Sequence, residues 1–265
     1  MSNPLMDVAM GLATGSIKVV DLSVTLNPET PILQLPEEFG WKNAWPFGME
    51  EISRYDERGP AWYWNNIKCG EHTGTHFDAP IHWISGKDHE NHATDTLPPS
   101  TFVGPAVVID CTAETAADED FLLTVDFLEG WEAEHGQIPK GSAVLMNTGF
   151  AKFWPNHEQY MGTAKRGPEA VAELHFPGFS ESAARFLANE RGVAAVGLDT
   201  PSIDYGQSKD FIAHQILYSQ NIVGFENIAS MEELPATGAW VVALPMKIRN
   251  GSGGPLRIIA LIPST

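Results

Sequence analysis

With 265 residues the chain is long enough for one large domain or two small ones, and 43% hydrophobic content sets it apart from disordered sequences. Lys and Arg number 16 against 34 Asp and Glu, a net charge of −18, which repels phosphate backbones and anionic lipid and so excludes nucleic acid and membrane as partners. The opening MSNPLMDVAMGLATG lacks a basic stretch ahead of a long apolar core, no apolar run is long enough to span a bilayer, and Cys69 and Cys111 make no disulfide framework; a reducing cytoplasm is the expected location.

In chain order, IKVVDLSVTL (17–26) is β-branched and apolar and predicts a strand, and the proline-bearing NPETPILQLP after it predicts an irregular loop. Residues 41–64 carry Trp41, Trp45, Phe47, Tyr55, Trp62, Tyr63 and Trp64 and read as a loop and one arm of a hairpin. Short strands are expected at GPAVVIDC (104–111), SAVLMNTG (142–149), VAAVGLDT (193–200) and NIVGFENI (221–228). Helices are expected at TVDFLEGWEAEHG (124–136), where Val125, Leu128 and Trp131 share a face, and at FSESAARFLANERG (179–192), with Ser180 as N-cap and Gly192 as stop. A shorter one is expected within KDFIAHQILYS (209–219). TGAWVVALPMKIRN and GPLRIIALIP read as two closing strands, joined by NGSGG as a hairpin turn. No linker or repeat divides the chain, so the expectation is a single α/β domain over 1–265, with a mixed β-sheet and scattered helices.

Residues 72–82, HTGTHFDAPIH, concentrate the chemistry. His72 and His76 are spaced like the two histidines of a zinc-binding helix, but Thr73, Gly74 and Thr75 are weak helix formers and Pro80 is a breaker. In an extended chain His72, Gly74, His76, Asp78, Pro80 and His82 share one parity and one face. A straight strand would hold His72 and His76 ~13 Å apart at about 3.3 Å per residue, too far to share one ion. The spacing therefore predicts a bend at Gly74-Thr75 that gathers His72, His76 and Asp78 around one cation. Two imidazoles and a carboxylate suit zinc, manganese or iron(II) and leave positions open for water and substrate. His82, close to the ion without holding it, would carry protons. His89 and His92 read as solvated loop residues.

The stretch H-T-G-T-H-F-D-A-P-I-H resembles the HxGTHxDxPxH signature of the metal-dependent cyclase-like hydrolases, a family that includes kynurenine formamidase and isatin hydrolase. DLSVTL and GLDTPSID (197–204) are similar to the family's first strand and a later segment. The resemblance implies a cyclase-like (swivelling β/β/α) fold and a site that binds Mn(II) or Zn(II). It implies His72, His76 and Asp78 as ligands, His82 as the catalytic histidine, and His214 and Glu226 as a second metal position or site lining. Members differ in holding one metal or two. The formamidases are shorter chains. The extra aromatic length here points to the isatin hydrolase-like branch, with Trp62, Trp64 and Phe47 as pocket residues for a small aromatic amide. The implied reaction is the opening of isatin to isatinate, with N-formylkynurenine or another small amide or lactone as the alternative substrate.

Other readings compete. Cys69 precedes His72 by three residues, but no third group orients such a pair, and no G-x-S-x-G elbow offers a serine nucleophile. Asp199 and Asp204 are read first as Asx-turn residues. A non-catalytic metal- or ligand-binding protein of the same fold would keep His72, His76 and Asp78 without needing His82. Apolar strands such as AWVVALPM point to a homo-oligomer, dimer or tetramer.

Overall fold

Stretches of three to eight residues, most of them apolar, assemble into one nine-stranded sheet in the computed structural model, which describes residues 3–34 and 42–264. Trp41 lies outside the described residues. At the centre run four mutually parallel strands, β5 (Val103–Asp110), β7 (Ala143–Asn147), β9 (Ala195–Leu198) and β10 (Val223–Glu226). On one side the sheet continues antiparallel through β11 (Ala239–Val242) and β13 (Ile259–Pro263) to β1 (Ile17–Asp21). On the other it continues through β4 (His76–Asp78) to β12 (Gly253–Pro255). A separate ribbon pairs β2 (Gly48–Arg54) with β3 (Tyr63–Lys68), and β6 (Leu122–Leu123) pairs with β8 (Gly178–Phe179).

Parallel strands need crossovers, and helices supply them. These are α2 (Thr112–Ala117), α3 (Val125–His135), α5 (Glu181–Phe186) and α6 (Ile212–Tyr218), with α4 (His157–Met161) packed at the periphery. Leu128, Trp131, Phe186 and Leu217 from these helices form one core with Val144 and Val196 of the sheet, while Phe77, Val108, Leu145 and Phe225 belong to a second core. Being buried on both faces, the central strands read as unbroken apolar runs. Ser180 caps α5, accepting from the Ala183 amide at 3.1 Å, and the helix widens into a π turn over Leu187–Arg191 before Gly192.

Two expectations change, and one element is added. The first strand stops at Asp21, because Val24 and Leu26 turn away to back the 72–78 segment, the Val24 amide donating to Thr75 Oγ1 at 2.9 Å. The NGSGG stretch is no hairpin turn: β11 and β13 do pair, but the chain between them crosses the sheet so that Gly253–Pro255 becomes the strand beside β4. An N-terminal helix α1 (Pro4–Thr14) also forms, with Asn3 as N-cap, Pro4 in its first turn and left-handed Gly15 as stop. Among the described residues no helix is long and apolar enough to cross a membrane.

Candidate metal centre and its pocket

Gly74 takes φ +62°, so the predicted bend is present, and a Cβ there would sit 2.2 Å from Leu26 Cδ2. Past the bend β4 is wedged between β10 and β12, and register sets Glu226 opposite His76. Helix α6 brings His214 and Tyr218 to the same end of the sheet. The period-two parity holds only to Asp78. Pro80–His82 is a 3₁₀ turn, which folds His82 back so that its ring stacks on His72 at 3.8 Å, instead of extending the strand as expected.

Asp78, fully buried, is the hub. Its Oδ1 lies 2.6 Å from His72 Nδ1 and 3.2 Å from His76 Nε2, while Oδ2 accepts from the Tyr218 hydroxyl at 2.8 Å and lies 3.7 Å from His214 Nε2. Glu226 stands 3.2 Å from His76 Nε2 and 3.5 Å from His214 Nε2. Proton bookkeeping then matters. His76 Nδ1 donates to the Gly74 carbonyl at 2.8 Å and His214 Nδ1 to Asp204 Oδ2 at 2.6 Å, so in the neutral form of either ring it is Nε2 that carries the lone pair facing the carboxylates. His76 Nε2 is buried and has no hydrogen-bond partner among the described residues. Lone pairs facing carboxylate oxygens repel unless a cation lies between them, so this donor set fits a divalent ion. Two overlapping sets of possible ligands share Asp78: His72–Asp78–His82 and His76–Asp78–Glu226. Asp78 is common to both sets, which divide the expected trio: His72 falls with His82, and His76 with Glu226, while His214 stands beside Asp78 and Glu226.

The electrostatics show how strongly the site attracts positive charge: without a metal ion the carboxylates favour a proton on these rings, and a divalent ion would displace that proton on binding. Burial opposes charge on His76, yet Asp78 and Glu226 push it up to about 10. Burial also opposes charge on His214, but Asp204, Asp78 and Glu226 hold it well above the usual histidine value. Burial would raise Asp78, but the His72, His82 and His76 rings hold it well below the ordinary carboxylate value. His82 goes the other way: burial and the neighbouring His72 push it down to about 3, so its imidazole is neutral.

Over the cluster opens a pocket of about 310 Å³, lined by His72, His76, His82 and His214 together with Trp83, Phe211, Pro31 and Leu33. A larger cleft of about 670 Å³ beside α3 contains none of these imidazoles. Phe47, Trp62 and Trp64 do not line the pocket, contrary to expectation: Phe47 is buried elsewhere, and the two tryptophans stand half-exposed on the β2–β3 ribbon. The aromatic walls come instead from Trp83, next to His82, and Phe211, just before α6, with ring centroids 5.0 Å apart. Phe211 adopts φ +52°, a costly conformation for an aromatic residue, which aims the start of α6 at the site.

A scan of family models matches the Cyclase family ("Putative cyclase") over residues 20–205. The chain belongs to the Cyclase family. It is 41% identical over 256 residues to the isatin hydrolase of Roseibium aggregatum, covering 95% of this chain and 94% of that one. It is 29% identical to the kynurenine formamidase of Salinibacter ruber, covering 91% and 96%. Among solved structures, isatin hydrolase A from Ralstonia solanacearum superposes with TM-score 0.93 at 43% identity, covering 99% and 98%. An isatin hydrolase bound to the product analogue thioisatinate superposes at 0.94 with 40% identity, covering 100% of both chains.

The Cyclase match contains His72, His76, Asp78, His82 and Asp204 and ends before His214 and Glu226, which enter the cluster through α6 and β10. Asp204 is no mere turn residue, since it accepts from His214 Nδ1 and from the amides of Ala213 and His214. Asp199 keeps a structural role, accepting from Thr148 and the Ala151 amide. His89 and His92 are partly buried instead of solvated, with His89 Nε2 2.8 Å from the Ser219 carbonyl. Burial pushes the Cys69 thiol up, away from nucleophile chemistry.

Proposed function

We propose that the chain is a metal-dependent amidohydrolase that opens the cyclic amide of isatin to isatinate. The observation that carries this reading is the convergence of imidazole lone pairs and two buried carboxylates beneath a pocket walled by Trp83 and Phe211. The 41% identity to an isatin hydrolase supports the substrate. His72, His76 and Asp78 would hold Mn(II) or Zn(II), with His214 and Glu226 lining a second position. When bound, the ion supplies Lewis acidity and makes water more acidic.

The chain's own groups do the rest. Tyr218 engages Oδ2 of Asp78, so Oδ1 is the oxygen turned towards His72 and His76. Trp83 and Phe211, packed on one another with ring centroids 5.0 Å apart, form one apolar wall against which a flat bicyclic ring would lie. Neutral His82 takes a proton from water as the water oxygen bonds to the amide carbon. The C–N bond then breaks with its electron pair going to nitrogen, and His82 returns the proton there. The new carboxylic acid ionises, and the proton it loses leaves to solvent.

Absorbance assay of isatin ring opening tests this. Chelated protein should lose turnover and regain it with added Mn(II) or Zn(II); an unchanged rate in metal-stripped protein would sink the reading. The same screen should include N-formylkynurenine, the substrate suggested by the kynurenine formamidase relative, and small lactones.

A further inference from the structure

The glycine-rich stretch 250–254, which makes no hairpin between β11 and β13, packs against the back of His72. Ser252 Oγ donates to Glu71 Oε2 at 2.6 Å, and His72 Nε2 lies 3.0 Å from the same Oγ. Its carbonyl accepts from the Ala79 amide at 2.9 Å, which ties the segment to the end of β4. The neighbouring glycines make room. A Cβ on Gly253 would sit 2.3 Å from the Phe77 carbonyl and 2.7 Å from His72 Cε1, and one on Gly251 would sit 3.0 Å from Glu71 Oε1. Neither glycine has positive φ, so close approach is what requires them.

A serine hydroxyl has one hydrogen. A 2.6 Å contact commits that hydrogen to the Glu71 carboxylate, so Oγ can only accept from His72, and Nε2 must carry the proton. Nδ1 is then the nitrogen turned to Asp78 Oδ1. His76 and His214 are fixed the opposite way round, through Nδ1, by a backbone carbonyl and by Asp204. We propose that Ser252 and Glu71 are positioning residues that lock His72 as an Nδ1 ligand of the metal centre. This rests on the metal-dependent reading above.

The test uses full-length Ser252→Ala, Ser252→Thr and Glu71→Gln, loaded with zinc, which is diamagnetic. Chelator competition should show zinc held 10- to 100-fold more weakly by Ser252→Ala, the usual effect of losing such an outer partner. Ser252→Thr should restore affinity, and Glu71→Gln should lose less than Ser252→Ala. Two-bond ¹⁵N–¹H correlation of the parent should report a protonated Nε2 and a metal-bound Nδ1 on His72, with that pattern altered in Ser252→Ala. A purely structural serine would lower thermal stability and leave both readouts unmoved. Equal zinc affinity and an unchanged His72 pattern in Ser252→Ala overturn the inference while leaving the metal reading standing. A parent chain that binds no zinc overturns both.

Discussion

His82 differs from the other imidazoles of the cluster in having no hydrogen bond to either ring nitrogen among the described residues, while His72, His76 and His214 are each pinned by at least one. It stacks on His72 at 3.8 Å and is neutral, because burial and that neighbour disfavour its charge. A neutral imidazole with both ring nitrogens unengaged is free to accept a proton and pass it on. His82→Ala should therefore retain the metal and lose roughly 10²- to 10⁴-fold in kcat, the usual range for a general base. Metal analysis alongside kinetics decides the role, since loss of the ion on substitution would make His82 a ligand, as its nearness to His72 and Asp78 allows.

At the scale of elements, the bend at Gly74 was legible because it follows from reach alone: two histidines four residues apart on a straight strand cannot share an ion. The parallel strands were legible from their apolar runs and α5 from its cap and stop. Register was not. Nothing in NIVGFENI says that Glu226 will stand opposite His76, and paired glycines look alike whether they serve a turn or a close approach, which is how 250–254 was misread. The aromatic wall was misplaced for a related reason. Ring density in 45–64 marks a ribbon whose rings, Phe47 apart, face outward, whereas Trp83 and Phe211 stand singly in sequence and meet only when α6 packs beside the 3₁₀ turn of residues 80–82. The two locations separate experimentally. Phe211→Ala should raise KM for isatin by about ten-fold or more, as expected for removing a ring worth about 1.5–3 kcal/mol of apolar burial. Trp64→Ala should leave kcat/KM within about two-fold, since its ring lies outside the pocket; an equal loss in both variants would return the ribbon to the substrate site.

For the whole molecule the question is what covers the outer face of the sheet beside β1. Cross-strand pairing lines up Val19, Leu261, Trp240 and Pro105 on that face, and the alternate residues Val20, Ala260 and Val241 fill the core behind it. Val19 and Trp240 are 49% and 45% exposed. Helix α1 extends the surface: Gly11 packs on Ile17, while Leu5, Met6 and Met10 face outward. A row of exposed apolar side chains across one sheet face marks a candidate interface, and β1 is also an open sheet edge. Opposing burial is the net charge of −18 carried by each copy. Its repulsion is long-ranged only at low salt, since the screening length is about 8 Å at physiological ionic strength. Each large side chain buried contributes about 1.5–3 kcal/mol at short range whatever the salt. Several such side chains outweigh the screened repulsion, so the chain is expected to form a homo-oligomer whose population rises with salt. Light scattering coupled to gel filtration should give a multiple of 28.9 kDa at 0.15 M salt. Trp240→Glu places a charge in the middle of the row and should shift the mass to that of a single chain without unfolding it, because the Trp240 side chain points away from the core. A parent protein that runs as a monomer at every salt concentration would show that this face stays open to water.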